Sequence, residues 1–186
     1  MLFADLALRP SLVVTALQGG EKWPLATLFT SCFLHGNIFH LLGNIIYLWV
    51  FGPRIERSFG SFLFALYFLF WGVIAGFTQL AMMPSNPLPM VGASGAIAGV
   101  MGSYFLLYPG AKITVFVPIY PFGWVFTLPA WLMLGVWFIL QVLVVQPGVA
   151  NWAHAGGFLG GMLVVLVTGA ERRRDALKAR GRDFWI

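Results

Sequence analysis

Two polar side chains in otherwise apolar sequence could together carry out nucleophilic chemistry. Ser94 lies in GASGAIAGVMG (92–102), and His154 lies in AHAGGFLGG (153–161). A neutral imidazole beside a serine hydroxyl can take the hydroxyl proton while the oxygen attacks a carbonyl carbon. The pair therefore predicts a serine nucleophile with a histidine base.

A second polar pair could stabilise the negative charge that such a reaction develops. His40 and Asn44 are four residues apart, so they share one face of a helix. Their N–H groups are donors of the kind that bind an oxyanion, and a serine at a helix start adds free backbone N–H groups. We predict an oxyanion site made by His40, Asn44 and Ser94.

Each of these residues also has a purely structural interpretation. A serine in a glycine-rich membrane helix often serves packing, and His40 with Asn44 could simply make interhelical hydrogen bonds. A lone histidine such as His154 at a helix mouth is often structural, and GxSG by itself is a weak motif. The catalytic interpretation depends on all four residues meeting at one depth.

The composition places these residues in an integral membrane protein. Of 186 residues, 60% are apolar and 9% are charged, against about 25% charged in soluble domains. Five apolar runs approach or exceed the roughly 20 residues that a membrane-spanning helix needs, which predicts an all-α polytopic bundle with five spans. The runs are residues 32–51, 61–83, 92–108, 124–145 and 150–170.

Alternation of these spans brings the four polar residues to one depth. Ser94 and His154 each follow a loop on the same side, and His40 and Asn44 lie one or two turns into a span that enters from that side. Glycines at four-residue spacing let helix backbones approach closely, so the serine and histidine helices are expected to pack together. These glycines are Gly95 and Gly99 after the serine, and Gly157 and Gly161 after the histidine.

The basic residues indicate topology rather than nucleic-acid binding. With five alternating spans, nine of the eleven fall on one side, which the positive-inside rule makes cytoplasmic. The C-terminus is then inside and the N-terminal segment outside. Since Cys32 is the lone cysteine, we predict no internal disulfide and no metal site, and the expected serine-histidine reaction needs no cofactor. The nine are Arg54, Arg57, Lys112, Arg172, Arg173, Arg174, Lys178, Arg180 and Arg182.

No carboxylate is placed to complete a catalytic triad. All six lie in predicted loops or tails, away from the depth of His154. The imidazole must then be held by packing and by a neutral hydrogen bond, and the serine should be weakly activated. The six are Asp5, Glu21, Glu56, Glu171, Asp175 and Asp183.

Four blocks of this sequence resemble the rhomboid intramembrane serine proteases, in the family's order and spacing. The resemblance extends from about residue 7 to residue 170 and is highly specific when the blocks are combined. The blocks are HGNIFHLLGN (35–44), FGPRIERSFGS (51–61), GASGAIAGVMG (92–102) and AHAGGFLGG (153–161).

The resemblance implies an activity and a role for each matching residue. It implies Ser94 as nucleophile, His154 as general base and acid, and an oxyanion site from His40, Asn44 and the Ser94 amide. The expected reaction is cleavage of the transmembrane segments of single-span membrane proteins, within the lipid bilayer and near its outer face. We expect this bilayer to be a bacterial inner (plasma) membrane. Supporting roles fall to Gly92, which opens a strand-like approach to the serine, to His35, which orders a loop, and to the packing glycines Gly157 and Gly161.

Two departures from the family pattern lead to further expectations. The family core has six spans, whereas residues 1–31 here resemble the outer loop that follows the first of them, so we expect a missing first span. We predict a membrane domain over 1–170 and a basic cytoplasmic tail over 171–186. Some family members stack an aromatic residue on the histidine from the position of Ala98, so here His154 is expected to depend on glycine packing alone.

Two other classes of protein compete with a protease. One is a catalytically inactive rhomboid-like protein that binds clients, but such relatives typically lose the serine or the histidine, and Ser94 and His154 are both present. The other is a small transporter or channel, for which charged residues in mid-span and internal repeats are expected. Neither feature is visible in the sequence.

Overall fold

The computed structural model describes residues 5–117, 121–144 and 146–179. Seven helices, a two-stranded hairpin and three short helical turns (Trp23–Ala26, Thr27–Thr30 and Ser31–Phe33) make up this part of the chain. The helices are α1 (Pro10–Leu17), α2 (Ile38–Phe59), α3 (Ser61–Met82), α4 (Ser94–Leu107), α5 (Ala130–Leu143), α6 (Asn151–Thr168) and α7 (Ala170–Ala179). The strands are β1 (Lys112–Val117) and β2 (Trp124–Pro129).

Five apolar helices correspond to the five predicted spans. Within the described residues, α2, α3 and α6 are long and apolar enough to cross a membrane, and α4 and α5 are shorter apolar helices of 14 residues each. The first of these helices begins later than predicted, at Ile38 instead of residue 32. Its start is fixed by Asn37, whose side-chain oxygen accepts a hydrogen bond from the His40 backbone N–H at 2.8 Å.

The predicted fourth span, 124–145, is wrong in its first six residues. Trp124–Pro129 is a strand that pairs antiparallel with Lys112–Val117, and the helix begins only at Ala130. Both strands are rich in β-branched and aromatic residues, which favour a pleated sheet. Pro129 has an extended backbone and ends the strand. Hydropathy alone cannot separate an apolar strand from the apolar helix that follows it.

Helix α4 is the centre of the bundle. All residues from Gly95 to Tyr104 are buried, so this helix has no lipid-facing stripe. It packs against α2, α3, α5 and α6, and large buried side chains from its neighbours, including Phe51, Trp71 and Phe158, fill the surrounding core. A helix buried on every side must be positioned by its neighbours.

The closest helix pair joins α4 to α6, as the glycine spacing predicted. A Cβ atom on Gly157 would lie 2.0 Å from the carbonyl oxygen of Gly95, and one on Gly161 would lie 1.9 Å from that of Gly99. Ser103 adds a hydrogen bond across the same contact, from its Oγ to the Gly161 carbonyl at 3.1 Å. The two backbones can approach this closely because both helices carry glycine there.

The end of α4 opposite Ser94 is held by basic side chains. Arg54 donates a hydrogen bond from Nη1 to the Tyr104 hydroxyl at 2.7 Å. Arg174 of α7 donates from Nη1 to the carbonyl oxygen of Leu107 at 2.5 Å, where the helix ends. A cation at a helix C-terminus is favourable because the last carbonyl groups carry partial negative charge. The serine and these basic contacts therefore lie at opposite ends of one helix.

Candidate active site

The structure brings Ser94 and His154 into direct contact. Ser94 is the first residue of α4 and His154 is the fourth residue of α6, and the glycine contact between these helices places the two side chains together. Ser94 Oγ lies 2.8 Å from His154 Nε2. This is the distance of a hydrogen bond along which a proton can pass from the hydroxyl to the ring.

The segment that precedes Ser94 is held in an extended path. Met90 pairs with Leu8 through two backbone hydrogen bonds of 3.0 and 2.7 Å, and the Gly92 N–H donates to the Ser31 carbonyl at 2.9 Å. Gly92 has a φ of +121°, a backbone conformation that residues other than glycine rarely adopt. This segment delivers the serine to the start of α4, where the first backbone N–H groups have no partner within the helix.

His40 and Asn44 both face this segment from α2. A Cβ atom on Gly92 would lie 2.7 Å from His40 Nε2 and 3.5 Å from Asn44 Nδ2. Asn44 is 9% exposed, and its Nδ2 has no hydrogen-bond partner among the described residues. A buried amide without a partner costs about 1–3 kcal/mol. Because Nδ2 has no partner and lies beside the backbone that leads to Ser94, it can donate a hydrogen bond to an oxygen atom that enters the site.

His35 lies against His40 rather than against the serine. The two rings are 5.4 Å apart and nearly perpendicular, at 72°. Burial, and to a smaller extent electrostatic repulsion from His40, hold the pKa of His35 below its usual value. The contact fits the structural role that the sequence resemblance implied, since it restricts the ring of His40.

Two residues of α5 that the sequence analysis missed lie against His154. Gln141 Oε1 is 2.8 Å from His154 Nδ1, and the Trp137 ring lies 5.8 Å from the imidazole at 34°. The expectation that glycine packing alone would position this histidine is therefore wrong, and the neutral hydrogen bond expected in place of a carboxylate comes from Gln141. The signal for Gln141 was a lone amide inside an apolar span, a position where polar groups are costly and usually functional.

A second buried glutamine holds the start of α6. Gln79 of α3 accepts a hydrogen bond from the Ala153 backbone N–H at 3.1 Å and is 2% exposed. Ala153 is the residue before His154, and its N–H belongs to the first turn, which has no intrahelical acceptor. Gln79 thus fixes the turn that carries the histidine, and it too appeared in the sequence as a lone amide in a span.

The electrostatic environment of His154 is neutral on both sides of its ring. Nε2 faces a serine hydroxyl and Nδ1 faces a carboxamide oxygen. Five of the six carboxylates lie in the described part of the chain, and Asp183 lies outside it. The arrangement is a serine and a histidine with a neutral third group, and it can transfer a proton without a carboxylate partner.

The family of this chain follows from comparison with known proteins. The family model of the Rhomboid domain matches residues 22–171. This chain belongs to the rhomboid family. Both glycine-packed helices of the contact described above, and all four polar residues predicted from the sequence, lie inside the matched region.

Named relatives of this rhomboid come from several kinds of organism. It is 35% identical over 156 residues to RHOMBOID-like protein 4 of Arabidopsis thaliana, and this alignment covers 83% of this chain and 36% of that protein. It is 34% identical over 171 residues to the mitochondrial Rhomboid protein 1 of Saccharomyces cerevisiae, with 83% and 46% covered. It is 31% identical over 163 residues to Rhomboid protease GluP of Bacillus subtilis, with 82% and 27% covered.

These relatives limit what carries over to this rhomboid. The chain spans less than half of the length of each of the three. The name of GluP states a protease activity, and it states it of that protein. Plant and mitochondrial relatives give no support to the expected bacterial inner membrane. The family and the apolar helices together show an integral membrane protein.

Proposed function

We propose that this rhomboid is an intramembrane serine endopeptidase that cleaves the transmembrane segments of single-span membrane proteins. The observation that carries the proposal is the 2.8 Å contact between Ser94 Oγ and His154 Nε2. A serine that served packing alone would not need an imidazole nitrogen at that distance.

The chemistry follows the general course of acyl transfer to a serine. His154 Nε2 takes the proton of Ser94 as Oγ bonds to the scissile carbonyl carbon, and the carbonyl oxygen becomes an oxyanion. The protonated ring then gives its proton to the leaving amine, and the acyl group stays on the serine. Water activated by the same nitrogen hydrolyses the ester and restores the free hydroxyl.

The oxyanion is held in this proposal by three N–H donors. These are the backbone N–H of Ser94, the Asn44 amide and the His40 ring, of which the last two face Gly92 in the segment before the serine. The unpartnered Nδ2 of Asn44 acquires an acceptor only when an oxygen atom occupies the site. Donors that are fixed before the reaction stabilise developing charge without reorganisation.

In this proposal the site lies near one face of the bilayer, where a locally unwound substrate and water can meet. Ser94 and His154 lie in the first turns of their helices, close to the loops that enter them, and in this proposal water reaches them from the side of these loops. A helical substrate hides its carbonyl groups in hydrogen bonds, so the segment to be cleaved must unwind locally. Helices weakened by glycine or proline are therefore the expected substrates.

Incubation with a model substrate tests the proposal. The purified chain, in detergent and in liposomes, is mixed with a single-span substrate that carries a tag at each end, and the products are sized by mass spectrometry. Cleavage near one end of the span, sensitive to serine-directed inhibitors, is expected. Binding of the same substrate without cleavage by the folded chain would instead favour an inactive, client-binding member of the family.

Removal of the proposed oxyanion donors is predicted to slow turnover and leave the fold intact. His40→Ala and Asn44→Ala should each lower kcat by about 10- to 1000-fold, the scale of losing one oxyanion donor. Asn86→Ala, an amide in the loop before the serine, is the matched control and should keep the normal rate. Unchanged rates in both His40→Ala and Asn44→Ala would remove these residues from the site.

The orientation in the membrane is also part of the proposal. The positive-inside rule supports a cytoplasmic position for the far end of α4, where Arg54 and Arg174 lie, and for the tail over 171–186; residues 180–186 lie outside the described part of the chain. We expect a C-terminal alkaline phosphatase fusion to be inactive and a green fluorescent protein fusion at the same position to be fluorescent. The reverse pattern would overturn the orientation and move the site to the other face.

A further inference from the structure

A chain of side-chain amides runs from the backbone of the α5–α6 loop to His154. Asn151 is its first member, and it is 5% exposed. Its Oδ1 accepts from the Gln146 backbone N–H at 3.2 Å, and its Nδ2 donates to the Val144 carbonyl at 3.0 Å. A backbone N–H can only donate and a carbonyl can only accept. These two groups therefore fix which end of the Asn151 amide is oxygen and which is nitrogen.

Asn151 in turn fixes the amide of Gln141, which is 8% exposed. Asn151 Nδ2 lies 3.3 Å from Gln141 Oε1. Because this Nδ2 is a donor, the atom of Gln141 that faces it must be the oxygen. The same Oε1 lies 2.8 Å from His154 Nδ1, and a carbonyl oxygen has two lone pairs, so it accepts from both neighbours.

The consequence for His154 is a single neutral tautomer. Since Gln141 Oε1 can only accept, Nδ1 must carry the hydrogen. Nε2 then has a free lone pair, and it faces Ser94 Oγ at 2.8 Å. The opposite tautomer would place two lone pairs against each other at Nδ1 and would leave Nε2 unable to take the serine proton.

We propose that Gln141 is a positioning residue that sets the tautomer of His154, and that Asn151 fixes the orientation of the Gln141 amide. The consequence for catalysis rests on the proposed protease function, whereas the tautomer itself does not. In serine proteases with a triad, a carboxylate performs this task and also stabilises the imidazolium. A neutral amide orients the ring but adds no charge. A carboxylate at the same position would be a buried, unpaired charge whenever the histidine is neutral, and burying such a charge is costly.

Nitrogen NMR of histidine measures the tautomer directly. The chain contains three histidines, so protein labelled with ¹⁵N at the ring nitrogens gives few signals, and His154→Ala identifies those of His154. In the wild type we expect a protonated Nδ1 and an unprotonated Nε2. The opposite tautomer, or an even mixture of the two, in the folded wild-type protein would overturn the proposal without any need for a variant.

Two substitutions of Gln141 separate orientation from packing. Gln141→Leu keeps a similar volume and removes the acceptor, so His154 should become a mixture of tautomers. Gln141→Glu restores an acceptor oxygen, so Nδ1 should again be protonated. Gln18→Leu, at an exposed glutamine at the end of α1, is the matched control and should not change the spectrum.

The rate of labelling of Ser94 by a fluorophosphonate reports the effect on reactivity. For Gln141→Leu we expect a loss on the order of 10- to 100-fold, smaller than the roughly 10⁴-fold loss from a wrong tautomer in a triad protease, because part of the population keeps the correct tautomer. For Gln141→Glu we expect recovery and an acid limb of the pH profile moved to higher pH, since a carboxylate stabilises the imidazolium.

The outcomes distinguish this proposal from the proposed function. A wild type that neither labels nor cleaves, yet shows a protonated Nδ1 that is lost in Gln141→Leu, would reject the protease and retain the positioning role. A protease that labels normally in folded Gln141→Leu, with an unchanged tautomer, would retain the protease and reject the positioning role.

Discussion

Replacement of Ser94 by alanine is expected to remove both substrate cleavage and fluorophosphonate labelling. The probe forms a covalent bond with a serine oxygen, and Ser94 Oγ is the hydroxyl that lies 2.8 Å from an imidazole nitrogen. Loss of the nucleophile should lower kcat by on the order of 10³- to 10⁶-fold, the range seen when a serine protease loses a member of its catalytic group. Gel fluorescence after probe labelling and a substrate cleavage assay measure the effect.

Ser103→Ala is the matched control for this substitution. Ser103 lies nine residues further along the same helix, and its hydroxyl donates to the Gly161 carbonyl instead of facing a base. In folded protein this variant should still label, and His154→Ala should label far more slowly than the wild type. Undiminished labelling in Ser94→Ala would show that the serine is a packing residue.

Replacement of Gly157 by alanine is expected to destabilise the bundle and to disrupt the site in one step. The new Cβ atom would lie 2.0 Å from the Gly95 carbonyl oxygen, and this neighbour is backbone, which cannot rotate away. The helices must separate, at a cost of about 1–3 kcal/mol or more in the free energy of unfolding. Since Ser94 and His154 lie at the same contact, a shift of about 1 Å would lower kcat by roughly 100-fold.

Gly43→Ala separates the packing effect from a general effect of removing glycine. Gly43 lies on α2, and a Cβ atom there would meet nothing within 4 Å. This variant should be as stable as the wild type or more stable, since alanine favours a helix. Unfolding of both variants in mixed micelles gives the two free energies. Equal free energies would mean that the α4–α6 contact does not depend on the missing side chain at Gly157.

The sequence determined the membrane setting, the set of apolar helices and the contact that forms the site. Composition alone separates a bilayer protein from a soluble one, because charged side chains are costly in hydrocarbon. The four-residue spacing of glycine predicted that the helices of Ser94 and His154 touch, since small residues permit close backbones. These are local properties of the chain, so they can be read without knowing how any helix is rotated.

The tertiary structure alone decided where α5 starts and which residues of α5 contact His154. Residues 124–145 are apolar throughout, and only pairing with Lys112–Val117 shows that the first six form a strand. Gln141 and Trp137 reach His154 because α5 is rotated to present both toward α6. Neither position lies near the serine or the histidine in sequence. The rotation of a helix follows from the packing of all its neighbours, a sum of many small contacts that no short motif records.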